Sequence, residues 1–323
     1  VRRSSTSKCG ILTPSNYLYV ACQFPNKHGN DTATTRELNK ELQRQNNIML
    51  ALVTGASSGI GLQYATQLAR DYHTDLLLVS NQQEELHQVA ADLAAQYGVK
   101  TIPLYADLSQ QDAAEQLYQY CVDNSLVVDI LINNAGVFFF NPLCETSMRR
   151  IELMLNLHMV TVAKLTRLFG EQMIQRQLTA AEQSQTICGK SRRKGYILNM
   201  SSMSAWMAMP GIQCYNATKA FIYNFSKSIW YEFRPKGVNI TVMAPGAVDT
   251  ALFGLAPHLR RLAVALTVSI PPEKLVKRAL RKMFRGKKAD TPGVINWLAT
   301  PLLKHTPDWL VFLVMKFIGK YQK

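Results

Sequence analysis

LALVTGASSGIG, residues 50–61, joins a short apolar run to a glycine-rich turn, and a helical pattern follows it to about Arg70. Leu50–Val53 has the length of a buried strand. Gly55 permits a tight turn. Gly59 lets the backbone approach a pyrophosphate, whose charge a helix N-terminus favours. Gly61 lets helix and strand pack closely. A glycine turn alone is a modest signal; placed after the first strand of a βαβ series it becomes a strong one.

Such a series extends outward from this stretch. Further apolar runs lie at Leu76–Val79, Thr101–Tyr105, Val127–Ile132, Tyr196–Asn199 and Asn239–Met243. Amphipathic segments of helical length separate them, near 84–97, 110–124, 146–176 and 214–234. Buried runs alternating with helices predict an α/β fold, a parallel sheet covered on both faces. Right-handed crossovers make that sheet doubly wound, of the Rossmann type. NNAG, Asn133–Gly136, directly follows the fourth run, at the strand ends where such sheets bind ligands. Gln175–Lys194 is polar and basic and is expected to be a solvated loop.

A second stretch carries chemistry. In SMSAWMAMPGIQCYNATK, residues 202–219, Tyr215 and Lys219 share a helix face four residues apart. A free phenol keeps its proton until pH ~10. A neighbouring ammonium is expected to lower that value. The Ser202 hydroxyl, donor and acceptor at once, can hold a substrate oxygen beside the phenol. Together they can move one proton to or from a carbonyl or alcohol oxygen.

With these motifs in order, the chain resembles a classical short-chain dehydrogenase/reductase over about residues 49–250. Thr54–Gly61 matches the family's TGxxxGxG, Asn133–Gly136 its NNAG, and Ser202, Tyr215 and Lys219 its Ser and YxxxK. Asn156 matches the Asn that completes the family's tetrad, and Pro245, Gly246 and Thr250 the segment after the sixth strand. The resemblance implies that Tyr215 is the acid/base. It implies that Lys219 lowers the phenol's pKa and binds the nicotinamide ribose. Ser202 then positions the substrate oxygen, and Asn156 holds a water in a proton relay. Asp107 resembles the adenine-contacting acid. The implied cofactor site is Gly55, Ser57, Ser58, Gly59, Ile60, Gly61, Ser80, Asn81, Asp107, Leu108, Asn134, Ala135, Gly136, Tyr215, Lys219, Pro245, Gly246, Val248 and Thr250.

An acid at the end of the second strand would bind the ribose hydroxyls of NAD. Val79-Ser80-Asn81-Gln82 has none, which favours NADP(H) over NAD(H), although the arginine common in NADP-preferring relatives is also missing at Ser58 and Asn81. The expected activity is NADPH-dependent reduction of an apolar or acyl-type ketone. A non-catalytic cofactor sensor or adaptor on the same scaffold is the alternative. Intact Asn156, Ser202, Tyr215 and Lys219 argue against it.

The chain has 323 residues and is 47% hydrophobic, enough for a large core. Residues 1–48 lack sustained periodicity and are expected to be a flexible leader. The domain is expected to span 49–288, with a substrate lid at about 247–270, and 289–323 to be a C-terminal extension loosely like hydroxysteroid dehydrogenase and 3-ketoacyl reductase tails. Thirty-six basic against 22 acidic residues give a charge of +14. Ten Lys or Arg lie between Arg260 and Lys288 with one acid, Glu273. No nucleic-acid motif accompanies them, so a small molecule is the expected partner. Within 271–288, Leu275, Ala279, Lys282 and Met283 are expected to form one buried helix edge. The tail's apolar run is too short to span a bilayer; burial is favoured there over peripheral membrane contact. The resemblance implies a homodimer or homotetramer. Six cysteines form neither CxxC nor a metal-like cluster with histidine, so no metal and a reducing cytoplasm are expected.

Overall fold

The computed structural model describes residues 48–184, 194–248, 269–292, 307–309 and 311–313, with only the backbone of 180–184. The leader, Thr250, most of the lid and most of the tail lie outside the described residues. Within them, apolar runs alternate with helices as expected. β1 (Leu50–Thr54), α1 (Gly59–Tyr72), β2 (Asp75–Ser80), α2 (Gln83–Tyr97), β3 (Thr101–Tyr105), α3 (Ala113–Asp123) and β4 (Val128–Asn133) form the first half. Then come α4 (Met148–Leu155), a π turn (Asn156–Val160), α5 (Thr161–Ser184), β5 (Gly195–Met200), α6 (Gln213–Phe233), β6 (Val238–Met243), β7 (Ala247–Val248), β8 (Ser269–Ile270), α7 (Pro272–Phe284) and β9 (Ala289–Asp290).

The main sheet has the order β3-β2-β1-β4-β5-β6-β9, parallel throughout. Successive side chains of a strand point to opposite faces, and both faces are covered. Ala51, Val53, Leu76, Leu78, Ile130 and Ile132 face one apolar layer with α1, α2 and α7. Leu52, Leu77, Val79 and Leu131 face the other with α3 and α5. That two-sided burial is why these strands read as unbroken apolar runs. Strand order reverses between β1 and β4, which opens a crevice at their carboxyl ends. The two ends of the expected lid, β7 and β8, pair as a separate small parallel sheet, Ala247 beside Ser269 and Val248 beside Ile270.

Three expectations are corrected. Residues 175–184 are not loop: α5 continues to Ser184. Gln, Arg, Ala and Glu are good helix formers, so a polar surface did not imply irregular backbone. The sheet also gains β9, beyond the expected boundary at 288. Arg278 on α7 anchors it, with Nε 2.5 Å and Nη2 2.9 Å from the Asp290 carboxylate. Finally, the buried edge of α7 is Leu275, Val276, Ala279, Leu280 and Met283. Lys282 instead reaches Asp290 at 3.5 Å, because its ammonium needs a partner or water. These pairs give part of the basic patch a local cause. Trp309, Phe312 and Leu313 are exposed. Among the described residues no helix is long and apolar enough to cross a membrane.

Candidate active site

The crevice at the strand ends is a cavity of about 430 Å³. Its walls contain Gly55, Ser57, Ser58, Gly59, Ile60, Ser80, Asn81, Asp107, Leu108, Asn134, Ala135, Gly136, Ser202, Tyr215, Lys219, Pro245, Gly246 and Val248. Gly61 and Asn156 are not on the walls. Gln82, Ala106, Val137, Leu157, His158, Met200 and Ser201 are, and the sequence reading missed them.

The glycine turn is strung between two strand ends. Gly55 N–H donates to Val79 O at 2.8 Å. Thr54 Oγ1 accepts from the backbone N–H groups of Asn134 and Ala135 at 2.9 and 3.0 Å. Asn134 Nδ2 donates to Thr54 O at 3.0 Å. Gly55 has φ +65°, so the tight turn expected of it is present. Gly61 serves differently from expectation. A Cβ there would lie 1.9 Å from Gly55 O and 2.7 Å from Asn134 Nδ2. What it admits is the turn's own carbonyl, not the strand. The turn leads into α1, which has no acid in its first turn and no side-chain bond from its cap residue Ser58. That end suits an anion.

Asn133 is structural. Its Nδ2 donates to Asn199 Oδ1 at 2.8 Å, and Asn199 Nδ2 donates to Ser226 Oγ at 2.9 Å. This buried polar network ties β4, β5 and α6 together. Asp107 combines two expectations, lining the cavity and holding the following turn. Burial raises its pKa, but hydrogen bonds from Gln110 and Ser109 outweigh that and hold it below the usual carboxylate range. At the end of β2, Ser57 Oγ lies 2.8 Å from Ser80 Oγ and donates to Gln82 Oε1 at 2.7 Å. This corner is neutral.

Tyr215, Ser202 and Lys219 come together where β5 meets α6. Ser202 Oγ accepts from Ser204 N at 3.2 Å, which seats it at the start of a 3₁₀ turn. The Ser202 side chain also acts to lower the Tyr215 pKa, as a hydrogen-bonding neighbour does. Lys219 Nζ donates to Met200 O at 3.0 Å, and Ser201 Oγ to Lys219 O at 2.7 Å. The expected acid shift of the phenol is overturned. Burial pushes Tyr215 up to about 12, against a smaller lowering by Ser202. Burial also lowers Lys219 to about 8. Desolvation penalises the charged form of each. The ammonium points at Met200 O and stands 5.4 Å from the phenol ring's centre.

Asn156 is separated from the others because His158 takes the inward position. Two residues apart on a helix are ~200° apart around its axis, so 156 and 158 cannot face one cavity together. His158 is 1% exposed. Its Nε2 accepts from Val137 N at 3.0 Å, and its Nδ1 lies 3.0 Å from Thr218 Oγ1. No short motif flags it. A lone histidine inside an apolar helical pattern has no sequence signature.

Comparison with known proteins agrees with this geometry. A family model described as short chain dehydrogenase matches residues 49–258. The human very-long-chain 3-oxoacyl-CoA reductase is 28% identical over 276 residues, 84% of this chain and 79% of that protein. The mouse 17-beta-hydroxysteroid dehydrogenase type 3 is 32% identical over 205 residues, 62% of this chain and 61% of that protein. A solved short-chain dehydrogenase from Sphingobium yanoikuyae in complex with NADPH superposes with a TM-score of 0.65 at 26% identity, covering 80% of this chain and 94% of that one. The family match takes in the glycine turn, Ser202, Tyr215 and Lys219 alike, and the chain belongs to the short-chain dehydrogenase/reductase family of NAD(P)-binding oxidoreductases that act on small molecules.

Proposed function

We propose that this oxidoreductase reduces a ketone on an apolar or acyl-type substrate with NADPH, using Tyr215 as the proton donor. The observation that carries the reading is the meeting of Ser202, Tyr215 and Lys219 on the wall of the cavity that reaches the glycine turn.

The residues fit a dinucleotide. Gly55, Ser58 and Gly59 and the acid-free start of α1 suit a pyrophosphate, and Lys219 suits the nicotinamide ribose. The neutral corner of Ser57, Ser80 and Gln82 offers hydrogen bonds and no carboxylate to repel a 2′-phosphate. The NADPH complex of the Sphingobium protein supports the same choice. A bound nicotinamide supplies the hydride.

The chain's own residues manage the proton. With its pKa raised to about 12, Tyr215 is protonated at neutral pH and holds the proton a nascent alkoxide needs. Ser202 Oγ, on the same wall, offers the substrate oxygen a second hydrogen bond. Asn156, off the wall, is assigned no part. An apolar neighbour stands beside the phenol: Phe138 packs edge-on against Tyr215 at 5.1 Å. The substrate class is supported by the name of the human acyl-CoA reductase relative. A cytoplasmic location and a homodimer or homotetramer complete the proposal; light scattering tests the assembly.

The decisive experiment is Tyr215→Phe. Turnover of a panel of acyl, steroid and other bulky ketones should be lost while NADPH binding stays nearly unchanged. Surviving turnover would remove Tyr215 as donor.

A further inference from the structure

We infer that His158 is a positioning residue for Tyr215: a neutral imidazole, protonated on Nδ1 and bare on Nε2, that ties the loop after β4 to the helix carrying the phenol. The inference deepens the proposed function and rests on Tyr215 being the proton donor.

Two independent hydrogen bonds define the same tautomer. Val137 N–H can only donate, so Nε2, 3.0 Å away, must present a lone pair. The Thr218 hydroxyl donates its single proton to Tyr215 O at 2.8 Å. It can therefore only accept from His158 Nδ1 at 3.0 Å. One directed chain results, from Val137 N–H through the imidazole and Thr218 to the backbone of Tyr215 itself. With both nitrogens occupied, the ring has no free site for substrate proton transfer, so its part is placement.

The phenol is also gripped from two sides. The His158 ring meets Tyr215 edge-on at 5.8 Å and Phe138 meets it at 5.1 Å. Neighbouring residues make room for the imidazole. A Cβ on Gly136 would come within 2.9 Å of Nε2, so the glycine of NNAG admits His158. The π turn Asn156–Val160 interrupts the helix at this residue, an irregularity often found at functional sites. A second ring proton would face Val137 N–H in a buried site beside Lys219. In keeping with this, burial and then the Lys219 charge hold the His158 pKa well below its ordinary value.

The test uses the full chain with His158→Leu and His158→Gln. Leu fills the space without polar atoms, whereas the Gln carbonyl can restore an acceptor near the Nε2 position. His158→Leu should lower kcat for ketone reduction roughly 10- to 100-fold, the scale of one or two lost buried hydrogen bonds. Its Kd for NADPH should stay within about threefold of wild type, because the cofactor groups are untouched. His158→Gln should recover most of the lost kcat. A kcat for His158→Leu within about threefold of wild type would overturn the inference, as would a Gln variant no better than Leu.

An activity-independent readout guards against misfolded variants. In wild-type protein labelled with ¹⁵N-histidine, ring-nitrogen NMR at pH 7 should show His158 protonated on Nδ1, its signals identified by their loss in His158→Gln. A proton on Nε2 would overturn the assignment. Tyr215→Phe in the same assays separates the two ideas: retained turnover there refutes the donor, while the ring-nitrogen spectrum judges His158 alone.

Discussion

Replacing Lys219 by Met should change how stability depends on pH, and the size of the change follows from burial. Lys219 is 6% exposed, and burial lowers its pKa from 10.5 to about 8. Holding the ammonium in the fold therefore costs about 3 kcal/mol at neutral pH, at ~1.4 kcal/mol per pKa unit. Below about pH 8 both folded and unfolded chains carry the proton, and the whole penalty applies. Between about 8 and 10.5 the unfolded chain binds more protons than the folded one, so stability rises with pH. Met keeps the length and removes the titration. The Met200 carbonyl then loses its donor, a cost that does not change with pH. Urea unfolding of cofactor-free wild type and Lys219→Met at pH 7 and pH 10 should show wild type gaining ~2–3 kcal/mol on the variant. Tyr215 works in the opposite sense. Its raised pKa removes stability above about pH 10, but it is present in both proteins and largely cancels in the difference. A wild-type advantage that stays flat or shrinks as pH rises would refute the reasoning, because a solvated ammonium gives no such slope.

Gly61→Ala would place a methyl carbon 1.9 Å from Gly55 O, a backbone atom that cannot swing away. The turn must shift, so a stability loss of ~1–3 kcal/mol is expected together with weaker NADPH binding. Thermal melts and a fluorescence titration check both, and unchanged values in each would contradict the packing described. Asn81→Asp would set a carboxylate at the end of β2, where no acid now lines the cavity. The ratio of kcat/KM with NADPH to that with NADH should fall roughly 10-fold or more through like-charge repulsion. An unchanged ratio would place the 2′-phosphate elsewhere.

Some of the candidate site was legible because its residues sit in contiguous motifs. Gly55 and Gly59 mark a turn whose backbone requires φ > 0. Tyr215 and Lys219 are brought together by helical spacing alone. Other elements depend on partners distant in sequence. β9 is two residues long and is held by Arg278 and the edge of β6, so no local pattern marks it. The sequence pointed to Asn156 and not to His158; the turn of the helix decided which one faces inward. Gln82 entered the β2 corner through a bond to Ser57, 25 residues away.

What the linear order of residues determined is the alternation of buried strands with helices, the glycine turn between β1 and α1, and the identity of the Ser, Tyr and Lys that share a cavity. Those follow from periodicity, turn chemistry and short spacings, which are properties of neighbours along the chain. Tertiary packing decided the direction in which those groups' pKa values move. Burial raised the phenol and lowered the amine, where local reasoning expected the amine to acidify the phenol. It also turned His158 inward against Val137 and Thr218. Desolvation depends on everything that surrounds a group, and no spacing of residues records it.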